Sequence, residues 1–164
     1  MSHSVLISIG SNIDREASTL ACCQQLQQQF GQIRFSSIYD SPAFGFDGAP
    51  FFNLAALLQT DMPLKVLSEG FKALEETLGR LRQAEKFSSR TLDIDILTYD
   101  DWVGVHEGIQ LPRAEMVEQA YVLLPVAELV PNWRHPQSQE SYHDLWQNFA
   151  GDRRLVKADW QLPF

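Results

Sequence analysis

Cysteine and long apolar runs are scarce in this chain. Its only two cysteines, Cys22 and Cys23, are adjacent in 164 residues. This is a poor geometry for a structural disulfide and matches no metal motif, so we expect both to pack in a core. No stretch approaches the roughly 18 apolar residues of a membrane span, and no signal-peptide pattern precedes "SVLISIG". We therefore expect a cytoplasmic protein without membrane contact.

Positive charge is also scarce. The chain has 13 basic and 21 acidic residues, a net charge of -8, which opposes general binding to nucleic acid or anionic membranes. A polyanionic ligand would need a local basic patch. The composition, 45% hydrophobic and 21% charged, is that of a globular protein. Its length predicts one domain over residues 1–164. For the assembly we expect a monomer or a weak dimer.

The order of hydrophobic patterns predicts an α+β fold. "SVLISIG", "IRFSSIYDS", "FFNLAALLQT" and "LDIDILTY" have the composition of strands. A helix is predicted after the first strand, and a second, ending at Gly79, after the third. A hairpin should follow the fourth strand. Short helices broken at Pro125 and a last helix in "SYHDLWQNF" are predicted after the hairpin. This order predicts a ferredoxin-like sandwich, with a βαββαβ core, an antiparallel sheet and C-terminal helical additions.

The stretch "RTLDIDILTYD", residues 90–100, places two acids in an otherwise apolar strand. Residues i and i+2 of a strand share a face, so Asp93 and Asp95 should lie together, with Leu97 and Tyr99 on the same side. Their Cα atoms would be roughly 7 Å apart. Two carboxylates this close repel each other unless a cation is held between them. The pattern fits a metal site, but also an ordinary solvated edge strand.

A basic cluster directly precedes these acids. Arg80, Arg82, Lys86 and Arg90 lie within eleven residues of an acidic chain. Guanidinium groups fit phosphate oxygens, and Mg²⁺ typically takes one or two carboxylates plus phosphate oxygens and water. The combination indicates a Mg-nucleotide site. No GxxxxGK[ST] or kinase-type loop occurs, which excludes a P-loop. The residues alone leave a solvated basic loop as the alternative.

"KFSSRTLDIDIL" resembles the signature of the 6-hydroxymethyl-7,8-dihydropterin pyrophosphokinase family of folate biosynthesis. "ISIGSN", "SPAFG", "FFNLAALLQT" and "LEETLGRLRQAEKF" resemble other family segments, over roughly residues 4–130. The resemblance implies transfer of the β,γ-diphosphate of ATP to the hydroxymethyl group of a reduced pterin, with release of AMP. It also implies that ATP is the co-substrate and that Asp93 and Asp95 hold two Mg²⁺ ions.

The resemblance assigns roles to further residues. Arg80, Arg82 and Arg90, with the two acids, would be catalytic. The implied nucleotide-binding residues are Glu75, Arg80, Arg82, Arg90, Ile96 and Arg113. The implied pterin-binding residues are Ser41, Pro42, Ala43, Phe44, Gly45, Asn53, Phe87, Asp93 and Tyr121, with Phe87 and Tyr121 stacking on the ring. The segment from Gly79 to Ser89 is expected to be a mobile loop that closes on the nucleotide.

Several positions depart from the family pattern, most of them on the nucleotide side. Ser88 stands where Gly or Ala is usual, and Arg113 replaces a histidine beside the triphosphate. Val117 and Gln119 stand where Lys and Arg are common, which predicts fewer positive charges around the nucleotide. Two alternatives therefore stay open beside the folate enzyme. One is a divergent paralogue with an altered donor or substrate, and the other is a non-catalytic pterin- or nucleotide-binding module.

Overall fold

A computed structural model describes residues 2–41, 50–82 and 92–164, with the backbone alone for 80–82. The strands in these ranges are β1 (His3–Ser11), β2 (Ile33–Phe35), β3 (Tyr39–Ser41), β4 (Phe51–Thr60), β5 (Leu92–Tyr99), β6 (Gly104–His106), β7 (Ile109–Leu111) and β8 (Val156–Lys157). The helices are α1 (Arg15–Gln29), α2 (Leu64–Arg82), α3 (Glu115–Glu118), α4 (Ala120–Leu129) and α5 (Tyr142–Gln147). None of the helices in the described ranges is long and apolar enough to cross a bilayer.

One antiparallel sheet organises the chain. Its order is β5-β1-β4-β3-β8, and β2 pairs with β4 beside β3. β6 and β7 form the separate hairpin that the sequence predicts. β1 is central and is buried from Val5 to Ser11, which explains its nearly continuous apolar sequence. The predicted combination of helices with an antiparallel sheet is therefore confirmed.

Helices cover both faces of this sheet. α1 and α2 enclose the first core, which contains Ile7, Leu26 and Phe71. α3, α4 and α5 enclose the second, which contains Leu6 and Leu123. Both cysteines are buried free thiols of the first core, as predicted. The C-terminal helices cover only part of their face of the sheet. Beyond Leu6, the β1 residues Ser8 and Gly10 border an open cavity instead.

Three element boundaries differ from the sequence prediction. "IRFSSIYDS" forms two strands, because the Ser36 hydroxyl accepts the Ala55 N–H (2.9 Å) and so interrupts the ladder. α4 runs through Pro125 without a break, and the chain instead turns extended at Gln119, between α3 and α4. α2 continues past Gly79 to Arg82, so Arg80 belongs to the helix rather than to a loop.

β5 contains a β-bulge that reverses its alternation. The register with β1 shifts between Leu6 and Ile7, whose partners on β5 are Thr98 and Ile96. Leu97 therefore faces the second core, whereas Tyr99 packs in the first. The prediction that Tyr99 shares the face of Asp93 and Asp95 is wrong, because an extra residue inverts all later side chains.

The C-terminal tail is fastened beside β3 through Gln161. Its Oε1 accepts the Ile38 N–H (2.7 Å), and its Nε2 donates to the carbonyls of Ile38 (3.0 Å) and Ala158 (2.8 Å). Ile38 is fully buried. Trp160 stacks on Phe52 with ring centroids 5.8 Å apart. The tail therefore supports β3 at the edge of the sheet away from β5.

Replacement of Gln161 by alanine is expected to lower the free energy of unfolding by about 1–3 kcal/mol, because a buried backbone N–H loses its acceptor. Urea unfolding would measure the change. Gln25→Ala is the control, since Gln25 is exposed on α1 and should stay within about 0.5 kcal/mol of the parent. Equal stability of the two variants would contradict this role of Gln161.

Candidate functional site

One row across the sheet brings together the amide and the first acid. In the registers of β1, Gly10 pairs with Asn53 of β4 on one side and with Asp93 of β5 on the other. The next row in the same direction pairs Ser8 with Asp95. Paired residues of neighbouring strands share a face. Asn53, Asp93 and Asp95 therefore stand on one face, beyond the end of the second core.

The site cavity on this face, which we call the sheet cavity, has a volume of about 170 Å³. Its floor comes from β1, β3, β4 and β5, and Tyr121 of α4 lies at its side. Asn53 is buried and donates through Nδ2 to Ser41 Oγ (2.7 Å). That bond fixes the amide, so its Oδ1 is held on the Gly10 side. A fixed amide beside an aromatic ring can recognise a flat heterocycle.

The second acid is partly buried and faces a guanidinium. Asp95 Oδ1 lies 3.8 Å from Arg113 Nη2, and the same nitrogen donates to Glu115 Oε1 at 3.0 Å. Burial raises the pKa of Asp95, Arg113 lowers it, and the charges of Asp93 and Glu115 raise it. Four charged groups are thus coupled within one small region. The arrangement favours a cation in contact with Asp95.

A second cavity, the edge cavity, lies beyond the outer strand and has a volume of about 490 Å³. It is bounded by β5, by α2 through Glu75 and Lys72, and by the β6–β7 hairpin. The Glu75 carboxylate accepts the backbone N–H of Ile94 (2.7 Å) on the outer edge of β5. Burial raises the pKa of Glu75, whereas that N–H lowers it. Ile96 lines the same cavity and also packs in the first core.

The two cavities meet at the charged groups. Both are bordered by Asp93, Asp95, Arg113 and Glu115. Groups at this junction can contact one ligand in the sheet cavity and another in the edge cavity at the same time. The geometry therefore suits a reaction between two bound molecules.

Several sequence-predicted residues lie outside this description. Pro42, Ala43, Phe44, Gly45, Phe87 and Arg90 fall outside the described residues. Arg80 and Arg82 are described by backbone alone, at the end of α2. The expected closing loop, Gly79 to Ser89, lies outside the described residues from position 83 to its end. Its predicted start at Gly79 is wrong because α2 continues to Arg82.

Two departures from the family pattern fall elsewhere. Val117 packs at the margin of the second core, and Gln119 is the extended residue immediately before α4. In the described part of the chain neither residue borders the sheet cavity or the edge cavity.

Several lining residues were missed by the sequence prediction, among them Phe51, Gly10 and Glu115. Phe51 lies two residues before Asn53, so the period of a strand would have placed it on the same face. Gly10 was recognised only as the end of a strand, because its position between Asn53 and Asp93 depends on register. Glu115 carries no sequence signal other than its charge.

The profile of one protein family matches residues 6–131, which include every described site residue. Its description is 7,8-dihydro-6-hydroxymethylpterin-pyrophosphokinase (HPPK). This chain belongs to the HPPK family. The match begins within β1 and runs past the end of α4, and therefore includes both cavities and their junction.

Relatives of the family span most of the chain. The 2-amino-4-hydroxy-6-hydroxymethyldihydropteridine pyrophosphokinase of Haemophilus influenzae is 30% identical over 93% of this chain and 96% of its own length. The Synechocystis enzyme of the same name is 31% identical, covering 87% and 74%. A Plasmodium falciparum HPPK-DHPS crystal structure has the same fold, with a TM-score of 0.70 at 13% identity over 91% of this chain and 42% of that longer chain.

The donor set of the described residues fits magnesium held jointly with a substrate. No cluster of three or more histidine, cysteine, aspartate or glutamate ligands occurs among these residues. Mg²⁺ binds through one or two carboxylates and completes its octahedron with phosphate oxygens and water. Asp93 and Asp95, on one face at the junction, provide that minimal set. Zinc or calcium would require more protein ligands.

Proposed function

We propose that this pyrophosphokinase transfers diphosphate from ATP to the hydroxymethyl group of 6-hydroxymethyl-7,8-dihydropterin in folate biosynthesis. The products are AMP and the pterin diphosphate. The observation that carries the proposal is the junction, where Asp93, Asp95 and Arg113 border both cavities. A donor in one cavity and an acceptor in the other would meet at these groups.

The sheet cavity is proposed to hold the pterin. The amide nitrogen of Asn53 is engaged by Ser41, so its Oδ1 is the atom that can accept from the amino or lactam N–H of the ring. Tyr121 offers an aromatic face, and Phe87 is proposed to provide the other. Residues Ser41 to Gly45 are proposed to contribute further ring contacts. This orientation would direct the hydroxymethyl group towards Asp93 and Asp95.

The larger edge cavity is proposed to hold ATP. Glu75, bound to Ile94, shapes its wall, and Ile96 is proposed to contact the nucleotide. Arg113, with Arg80, Arg82 and Arg90, would bind the phosphates, because guanidinium groups pair with phosphate oxygens. Family membership supports these assignments, and the positions of Glu75, Ile96 and Arg113 in the lining of this cavity support those three.

The proposed reaction is an in-line substitution at the β-phosphorus. The pterin hydroxyl oxygen forms the new bond, the bond from the β-phosphorus to the bridging oxygen of the α-phosphate breaks, and the hydroxyl proton is released. Two Mg²⁺ ions, proposed on Asp93 and Asp95, would neutralise the phosphates. The chain's own contribution is to hold two substrates in register and to screen charge, which is mainly catalysis by positioning.

We also propose a ferredoxin-like core and a single domain. The strand order β5-β1-β4-β3 with α1 and α2 on one face supports a ferredoxin-like core, with the C-terminal helices added to the opposite face. One domain over residues 1–164 is supported by the continuous sheet, which includes β1 and β8. We propose a cytoplasmic monomer or weak dimer, and two buried free thiols fit a reducing compartment.

A direct assay tests this function. The protein is incubated with ATP, Mg²⁺ and 6-hydroxymethyl-7,8-dihydropterin, and AMP is measured by chromatography. We expect AMP and pterin diphosphate in equal amounts, and neither product without the pterin or with excess chelator. Pterin binding that is indifferent to Mg²⁺, without AMP, would instead identify a non-catalytic binding module. AMP formed only with another pterin or donor would identify a divergent paralogue.

A further inference from the structure

Arg113 is anchored at the junction by its backbone while its side chain contacts two acids. Its N–H donates to the Leu97 carbonyl (2.9 Å), which fixes the start of the side chain beside β5. Nη2 then reaches Glu115 at 3.0 Å and Asp95 at 3.8 Å. The side chain is 40% exposed. The guanidinium can therefore move without disturbing the backbone.

The hydrogen bonds of this guanidinium are incomplete. Arg113 Nε is buried and has no hydrogen-bond partner in the described part of the chain. A buried donor without an acceptor is unfavourable, so an incoming anion that satisfies it would be favoured. The ion pair with Asp95 is also longer than the one with Glu115. The contact with Asp95 is therefore the weaker of the two.

A metal ion at Asp95 would compete with Arg113 for the carboxylate. Both are cations, and both are attracted to the same partly buried carboxylate. The described chain offers no three-ligand cluster that could bind a metal strongly enough to ignore this competition. A triphosphate would change the balance, because it attracts the guanidinium and adds its own oxygens to the metal.

We propose that Arg113 is a displaceable counter-cation, which neutralises Asp95 in the nucleotide-free protein and moves to the triphosphate when nucleotide binds. Glu115 keeps hold of the guanidinium, so the motion is a pivot between Asp95 and the ligand. Asp95 then becomes available to the metal only together with the nucleotide. The inference rests on the proposed function for the triphosphate and the metal, whereas the contact of Arg113 with Asp95 stands on the geometry alone.

Mn²⁺ binding tests the proposal without any turnover. The loss of the free Mn²⁺ resonance is followed by electron paramagnetic resonance in the wild type and in Arg113→Met, first without nucleotide. We expect R113M to bind Mn²⁺ about fivefold more tightly, the size expected for removing a partly exposed charge contact. Arg113→Lys keeps the positive charge and should remain closer to the wild type than R113M does.

The affinity of R113M for nucleotide should change in the opposite direction to its affinity for Mn²⁺. With α,β-methylene-ATP present, R113M should bind the analogue about tenfold or more weakly, because a charged contact to phosphate is lost. Arg34→Met is the matched control, since it removes the same charge from an exposed position on β2. Arg34 pairs with Leu57, four residues along β4 from Asn53. R34M should change both affinities less than twofold.

Opposite shifts of metal and nucleotide affinity in R113M would support the proposal. Nucleotide-free Mn²⁺ affinity in R113M that is equal to or lower than that of the wild type, including no detectable binding by either, overturns it. An equal rise in R34M also overturns it, because net charge would then explain the effect. These outcomes are separate from the AMP assay. A protein that forms no AMP but shows the Mn²⁺ shift would refute the proposed function and retain the competition at Asp95.

Discussion

Replacement of Asp95 by alanine is expected to lower the rate of AMP formation by about a thousandfold or more, while the fold remains intact. The activity should fall because Asp93 and Asp95 are the two carboxylates that the described strands place on the sheet face at the junction, where the metal is proposed to bind, and metal charge stabilisation contributes several kcal/mol to such transfers. Steady-state AMP formation under saturating ATP and pterin would measure the loss.

The stability of this variant should change by less than about 1 kcal/mol. Burial raises the pKa of Asp95, so its charge is disfavoured by the fold, and the partly exposed pair with Arg113 contributes little. Arg113 also retains Glu115. Asp101→Ala is the control, because Asp101 is an exposed acid just beyond β5 and should remain fully active. Activity of D95A equal to that of D101A would refute the site, and unfolding of D95A would show a structural role instead.

Replacement of Gly10 by alanine is expected to raise the KM for the pterin about tenfold to a hundredfold and leave the KM for ATP nearly unchanged. An added Cβ would lie 2.9 Å from Asn53 Oδ1, which is too close, and 3.8 Å from Phe51 Cδ1, which is ordinary contact. The amide is the group that must move. Its displacement would break the bond to Ser41 and misdirect the oxygen proposed to read the ring. Gly10 borders the sheet cavity but not the described wall of the edge cavity.

A comparison with Asn53→Ala identifies the cause of this effect. If alanine at position 10 acts by moving the amide, the double variant should be no worse than N53A alone, because the two changes remove the same interaction. Gly70→Ala is the control, since a Cβ at Gly70 on α2 meets nothing within 4 Å and should leave both KM values unchanged. Additive losses in the double variant would contradict the mechanism.

The chemistry of the site could be predicted from sequence because much of it is local. Asp93 and Asp95 are two residues apart in one strand, so the period alone placed them on one face. The row that joins Asn53, Gly10 and Asp93 could not be found in this way. It depends on two separate strand registers, and register is set by cores and turns rather than by the paired residues themselves.

The boundaries that sequence missed each have a tertiary cause. Glycine often ends a helix, which is why the sequence predicted the end of α2 at Gly79. The helix continues to Arg82 because the cost of a glycine within a helix, about 1 kcal/mol, is small. Pro125 lies in α4 with its ring buried, so packing outweighs its lost hydrogen bond. The two-strand structure of residues 33–41 depends on one contact, from Ala55 to the Ser36 hydroxyl.

The β-bulge makes the length of β5 as important as its composition. Its first half must direct Asp93 and Asp95 towards the cavities, and its end must place Tyr99 in the opposite core, where the hydroxyl donates to the Met62 carbonyl (2.7 Å). Loss of the codon for Leu97 would restore uniform alternation and leave both ends on their present sides, but it would remove the carbonyl that accepts the Arg113 N–H and a buried side chain of the second core. The extra residue of β5 therefore sets where the backbone of Arg113 is attached beside the junction.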